Sequence, residues 1–328
     1  MLARSRSLAL AVGLWAGPLA WALGAPALAP LPEPLTLGTA LGLADSHPRP
    51  VADSKFSARF PRGGTLYLDC HRLAFGNAEL DPGRSRPREA LLEPRAAQRL
   101  EVLTRFFDAL LADQAFATHS EAMAVAFIQF DRAAVRRDLG QTNELKVLEL
   151  ETVYQSVLLE RAAAELSQQL ARVRLVGALN RTEGLPRDLV APELPVLPDP
   201  LPDAESLIRD SAESNPALRT LLDSGGEPER RLVLLELREQ VLGLLLRLRA
   251  LEAAGRQVRT ESAYRDLKLD ESRTLYDQEV TADLGYSMSQ QTQTRMRETR
   301  IGYCRALAWA ELMAIAGRPP WPLPETGP

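Results

Sequence analysis

The chain is poor in the residues that carry most enzyme and metal chemistry. Cysteine occurs twice, at Cys70 and Cys304, and histidine three times, at His47, His71 and His119. Two cysteines are too few for a disulfide framework; one bridge and two buried thiols both accommodate them. The histidines share no metal-like spacing with each other or with cysteine, so structural roles are expected for them. No nucleophile elbow, phosphate-binding glycine loop or dinucleotide fingerprint occurs. No catalytic, cofactor or metal site is therefore assigned, and an enzyme is not expected. Lysine is confined to Lys55, Lys146 and Lys268, leaving arginine as the general cation, and 39 basic against 43 acidic side chains give a net charge of −4. That balance lacks the basic excess of a nucleic-acid-binding protein. Beyond the N-terminus, no stretch approaches the roughly 20 apolar residues of a spanning helix.

What is present begins with a secretory signature. Arg4 and Arg6 precede an apolar run from Leu8 to Leu23, interrupted by Pro18, and then the small residues "ALGAPALA". This order predicts a signal peptide over residues 1–29, cleaved after Gly24 or Ala29, with an uncleaved anchor as the alternative. Export from the cytoplasm follows. Prolines divide the remainder. The run "LPRDLVAPELPVLPDPLPD" at 185–203 is a connector that cannot be helix or central strand, and residues 319–328 form an extended tail. The flanking segments, 30–184 and 204–318, are rich in strong helix formers.

Their patterns match. From about Arg95 to Leu139 there is no Pro or Gly, and Leu100, Leu103, Phe107 and Leu110 alternate by three and four, predicting a helix close to ~68 Å long. "DLGQTN" interrupts it. A second helix follows from about Glu144 to Leu179, with Leu145, Leu148, Thr152, Gln155, Leu159, Ala162, Leu166, Gln169, Val173 and Val176 in strict three-four alternation. That rhythm is read as the seam of an antiparallel coiled-coil hairpin. In the later segment, a helix from about Glu229 to Asp283 carries Leu237, Val241, Leu244, Leu248 and Leu251, "DLGYSM" at 283–288 breaks it, and a last helix runs to about Ala316. The openings also correspond: "ADSHP", ending at Pro48, and "AESNP", with Asn215 and Pro216. The expected fold is all-α: long antiparallel hairpins in two internal repeats.

These motifs, in this order and doubled, resemble the TolC-like outer-membrane efflux proteins. The resemblance rests on the helix ending in Asn-Pro within "LIRDSAESNPALRTL", on the Gly-centred tips in "RRDLGQTNELKVLELETVY" and "DQEVTADLGYSMSQQTQTRMRET", and on the proline-rich link between repeats. It implies a homotrimer forming a periplasmic tunnel under a barrel of strands. It also implies a periplasmic adaptor and an inner-membrane pump as partners, and export as the function. By the same resemblance, the tip or docking positions are Asp138, Gly140, Lys146 and Glu149 in the first repeat, and Asp283, Gly285, Gln291 and Thr294 in the second.

The chain departs from that pattern where strands belong. A spanning strand needs about 9–11 residues. Nothing strand-like separates Pro216 from the helix near Glu229. In the first segment only "KFSARFPRGGTLYLDC", beside the Gly-Arg of "LDPGRS", offers a short, vestigial β-hairpin. Two functions therefore compete: a divergent component of a tripartite efflux or type I secretion system, or a non-conducting periplasmic scaffold that binds an adaptor and has lost the barrel. Phe106, Phe127, Leu158 and Leu245 fall outside the expected seams and call for a second surface, as neighbouring protomers would supply.

Overall fold

Four long helices dominate the computed structural model, which describes residues 30–322 except 54, 56–58, 77–88, 183 and 279–283. The signal-peptide reading, Asp283, the "LDPGRS" segment and most of the tail lie outside the described residues. In chain order the elements are β1 (Leu35–Thr36), α1 (Leu37–Ala44), α2 (Cys70–Phe75), α3 (Pro94–Asp138), α4 (Glu144–Ala178), β2 (Leu189–Val190), α5 (Ala204–Ser214), α6 (Pro216–Ser224), α7 (Glu227–Asp277) and α8 (Leu284–Ile315).

The long helices start and stop where local chemistry dictates. Pro94 occupies the first turn of α3, where its missing N–H costs nothing. At the other end Gly140 adopts a left-handed φ of 71°. Its N–H bonds the Arg137 carbonyl and that of Gln141 bonds the Arg136 carbonyl, which closes a Schellman cap. Asn143 then caps α4, accepting from the Lys146 N–H at 3.0 Å. Asn180 (φ 54°) ends α4 and Gly317 (φ 69°) ends α8, each with the same pair of returning bonds.

Helix α3 packs antiparallel on α4, α7 on α8, and α3 also lies along α8, so the four form a row in the order α4, α3, α8, α7. Asp113 on α3 takes Nη2 and Nε of Arg172 from α4 at 2.7 and 3.1 Å. Phe107 stacks on Tyr303 of α8, with ring centroids 4.4 Å apart, and Trp321 meets Phe107 edge-on. Arg247 of α7 pairs with Glu311 of α8 at 3.3 Å, both nearly buried. The dense core lies at the end of the row away from the hairpin turns. It contains Leu103, Phe106, Phe107 and Leu111 of α3, Leu175 at the end of α4, Leu237 to Leu251 of α7, and Leu312 and Ile315 of α8.

Three expectations change here. Phe106 and Leu245 are buried in this core and need no second surface. The break in the later hairpin comes earlier than read: α7 ends at Asp277, and Leu284, Gly285 and Tyr286 of "DLGYSM" open α8 instead of interrupting a helix. Small, polar and glycine residues there are tolerated because α8 packs between two helices, and packing outweighs propensity. The third change concerns the α4 seam and is described with the edges below.

The core end is covered by the segments that precede each hairpin. β1 pairs in parallel with β2, tying the start of the described chain to the connector. Arg172 also donates to the carbonyls of Pro186 and Arg187, which holds the connector against α4. Cys70, opening α2, is disulfide-bonded to Cys304 of α8, a link across 234 residues. Asn215 is fully buried between α5 and α6. Its Oδ1 caps α6, and its Nδ2 donates to the carbonyls of Leu91 (2.9 Å) and Ile315 (2.8 Å). In the earlier half, the turn before Pro48 is met in the same way by the residue ending α4, since Asn180 Nδ2 donates to the Ser46 carbonyl at 3.2 Å.

The segment proposed as a vestigial hairpin forms no strand among its described residues. It is fastened to α3 by two buried charges. Asp108 accepts the backbone N–H groups of Leu66, Tyr67 and Leu68 at 2.7–3.2 Å. Arg105 donates to the carbonyls of Gly63 and Gly64, both at 2.7 Å. With its amides and carbonyls committed to side chains, this backbone has no ladder to offer a neighbour.

Candidate functional site

Each hairpin turn was read as a tip, and the start of α8 lies well short of the first of them. Gly285, at the start of α8, sits against α3 so closely that a Cβ there would lie 2.4 Å from Val125 Cγ1. Val125 is 13 residues (138 − 125) before the end of α3. The first tip therefore projects about 20 Å beyond that level, at 1.5 Å per residue. Glu121 accepting from Thr292 Oγ1 at 2.8 Å fixes the same register.

The projecting tip is a clasp of exposed charges beside exposed leucines. Arg137 bridges Asp138 (2.9 Å) and, across the turn, Glu144 (3.1 Å). Lys146 pairs with Glu149 one turn later on the same helix. Such solvated pairs contribute little to stability. Leu139 and Leu145 stand exposed beside them. Asp138 and Gly140 thus sit in the turn itself, with Gly140 shaping it, whereas Lys146 and Glu149 pair with each other along the first turns of α4. The described members of the second set, Gly285, Gln291 and Thr294, form no comparable group. Gln291 donates to Asp266 of α7, inside its own hairpin. Thr294 is buried and returns its hydroxyl to the Gln290 carbonyl at 2.9 Å. Gly285 is a packing residue.

The sides of the row show what the sequence reading misassigned. The strict three-four series on α4 is not the hairpin seam. Its apolar members Leu145, Leu148, Leu159, Leu166 and Val173 are between 51% and 75% exposed. Contact with α3 is made by another face, through Val147, Tyr154, Arg161, Ala164, Gln168, Ala171 and Leu175. Helix α4 thus carries two stripes, and the more hydrophobic one points away from its partner. At the far side of the row, α7 does the same. Leu232, Leu235, Leu246, Tyr264 and Leu267 are between 54% and 72% exposed, although Leu237, Val241, Leu244 and Leu248 on its inner face are buried.

No family model matches the chain, and no curated protein does. Solved structures do match. A structure of CusC, from work on conformational changes in folding and transmembrane channel formation, aligns at a TM-score of 0.51 and 12% identity, over 87% of this chain and 93% of that one. A membrane protein from Pseudomonas aeruginosa aligns at 0.50 and 14%, over 80% and 74%. The fold is TolC-like. The open MtrE outer-membrane channel of Neisseria gonorrhoeae also matches, at 0.42 and 13% identity, over 86% of this chain and 89% of that one.

Within this TolC-like fold the later half is notable for its economy. Residues 204–278 are all described, and they pass from α5 to α6 to α7 with only Asn215 and the Gly225–Gly226 pair between helices. No strand occurs there. Among the described residues, no helix is long and apolar enough to cross a membrane, and no cluster of His, Cys, Asp and Glu could hold a metal ion. Sequence reasoning missed the two outward stripes.

Proposed function

We propose that this protein is a divergent, TolC-like component of an efflux or type I secretion system. It works at the outer membrane and periplasm as a homotrimer and is engaged by a periplasmic adaptor and an inner-membrane pump. The observation that carries the reading is the row α4–α3–α8–α7 with an exposed apolar stripe on each outer side. A row with two different unpartnered sides is satisfied by placing the α4 side of one protomer against the α7 side of the next. That contact is heterologous, and three copies close it into a ring of twelve helices. The two-repeat organisation accords with the matching turns at Pro48 and Pro216, each tied to the end of the hairpin that follows it. The projecting first tip, with Leu139 and Leu145 beside the Arg137 clasp, is the natural seat for an adaptor.

A second reading is favoured by one observation, the absence of strands over residues 204–278. A protomer that gives no strands from this half cannot supply two per repeat. Since a spanning barrel must pair every backbone group in lipid, the protein would then act as a helical scaffold without its own conducting pore. One measurement tests both readings and a second separates them. Fractionation of cells should place the protein in the periplasm or with the outer membrane under both, and recovery in the cytosol would contradict both. Planar-bilayer recording of the purified protein should show stable single-channel conductance only if the ordinary channel reading holds.

A further inference from the structure

A cavity of about 190 Å³ opens between the 59–64 segment, α3 and the end of α4. Four guanidinium groups from separate parts of the chain line it: Arg49 after α1, Arg62, Arg105 on α3 and Arg174 on α4. Glu101 is the one carboxylate among the described residues that line it. Arg105 is fully engaged, with Nε on Glu101 and both terminal nitrogens on the Gly63 and Gly64 carbonyls. Arg62 reaches Glu89 and the Gln98 Oε1 (3.1 Å), while its Nε is buried without a hydrogen-bond acceptor and lies 3.7 Å from Glu101. Arg49 gives one nitrogen to the Phe60 carbonyl at 2.8 Å, and Arg174 gives one to the Gly64 carbonyl at 3.1 Å.

The charges do not balance. Among the described residues, four cations face Glu101 inside and the largely exposed Glu89 outside, an excess of two positive charges (4 − 2). His47 does not change the count while neutral, and its Nδ1 accepts the Arg49 backbone N–H at 3.1 Å. Its pKa is lowered chiefly by burial and further by Arg49 and Arg62, which reports the same positive field. Fastening the segment does not require this excess, because Arg105 and Asp108 already hold residues 63, 64 and 66–68. Arg49 and Arg174 add two charges for one hydrogen bond each and keep the other edges of their planar forks available. Such forks match pairs of oxygens on a tetrahedral oxyanion.

We propose that this cavity binds a phosphoryl oxyanion, either free phosphate or the phosphate of a lipid headgroup. The volume admits one such group with some water, the net charge complements a phosphate dianion, and the polar lining suits no apolar ligand. The test uses the purified protein titrated with inorganic phosphate at low ionic strength, against chloride at matched ionic strength, by calorimetry and thermal shift. Saturable binding with stabilisation is expected. Arg49→Gln and Arg174→Gln should each weaken it about tenfold, the value of one charge-assisted hydrogen bond, with circular dichroism and melting in chloride unchanged. A parallel arm measures co-flotation with phosphatidylcholine vesicles with and without phosphatidic acid. Variant-sensitive binding to the acidic vesicles assigns a headgroup, whereas variant-sensitive binding of phosphate alone assigns a free anion. Absence of both, or binding that persists in the folded double variant, would overturn the proposal.

Discussion

The proposed side-to-side closure of the helix row can be tested without touching the protomer. Leu159 and Leu166 lie on the outward stripe of α4, 72% and 66% exposed. Full burial of a leucine side chain contributes about 1.5–3 kcal/mol. Since roughly two thirds of each is still open in the protomer, covering them contributes about 1–2 kcal/mol apiece and 2–4 kcal/mol together. At about 1.4 kcal/mol per tenfold, losing that area weakens each interface about 30- to 700-fold. Leu159→Glu with Leu166→Glu also forces two carboxylates to desolvate against an apolar face, which adds to the loss. Sedimentation velocity at micromolar concentration should show the wild-type protein assembled and the double variant as protomers. Far-UV circular dichroism should remain the same, because neither residue contributes to the hairpin's own packing. An assembly of unchanged mass in the double variant, or a loss of helix content accompanying dissociation, would refute the reasoning.

Other consequences are local. Asp108→Ala removes the buried acceptor of three backbone amides and should cost about 3 kcal/mol, read as a lower urea midpoint and faster amide exchange at Leu66, Tyr67 and Leu68. Gly285→Ala places a methyl group against Val125 and should destabilise by about 1–3 kcal/mol, with Val125→Ala in the same chain recovering most of it; independent, additive effects would contradict the close α3–α8 contact. The folded pKa of His47 lies below the ordinary 6.5, so between those values the unfolded chain binds more protons and stability rises with pH. Stability should therefore fall as pH drops through 6.5 toward the folded value, and His47→Gln should flatten that part of the profile.

The helices were legible because their punctuation is local. Pro94, Gly140, Asn143 and Gly317 act within one turn of chain, and the ends of α3 and α4 fall within a residue of those read from sequence. The partner of each apolar stripe was not legible. Periodicity on α4 reports an apolar face but not what it packs on, and the stronger stripe was assigned to the hairpin although Ala164 and Ala171, small enough for close helix approach, mark the inner face. Leu245 and Phe106 were placed outside for the converse reason, since their covers come from segments distant in sequence. The polar anchors were hidden more completely. Arg105 and Asp108 look like solvated helix residues until the 59–68 segment is laid across them. The disulfide pairs residues 234 positions apart and depends on the packing of α2 against the later hairpin. For the tips, Arg137 and Glu144 were passed over in favour of positions inherited from resemblance, and two of those, Gln291 and Thr294, are occupied within the second hairpin.

The mass and symmetry of the assembled protein test the account most directly. Native mass spectrometry with electron cryomicroscopy of the purified protein should give three protomers around one axis, with the α4 side of each, from Leu145 to Val173, against the α7 side of the next, from Leu232 to Leu267. A protein that stays a single chain at high concentration, or a twofold dimer with α4 packed on α4, would contradict it.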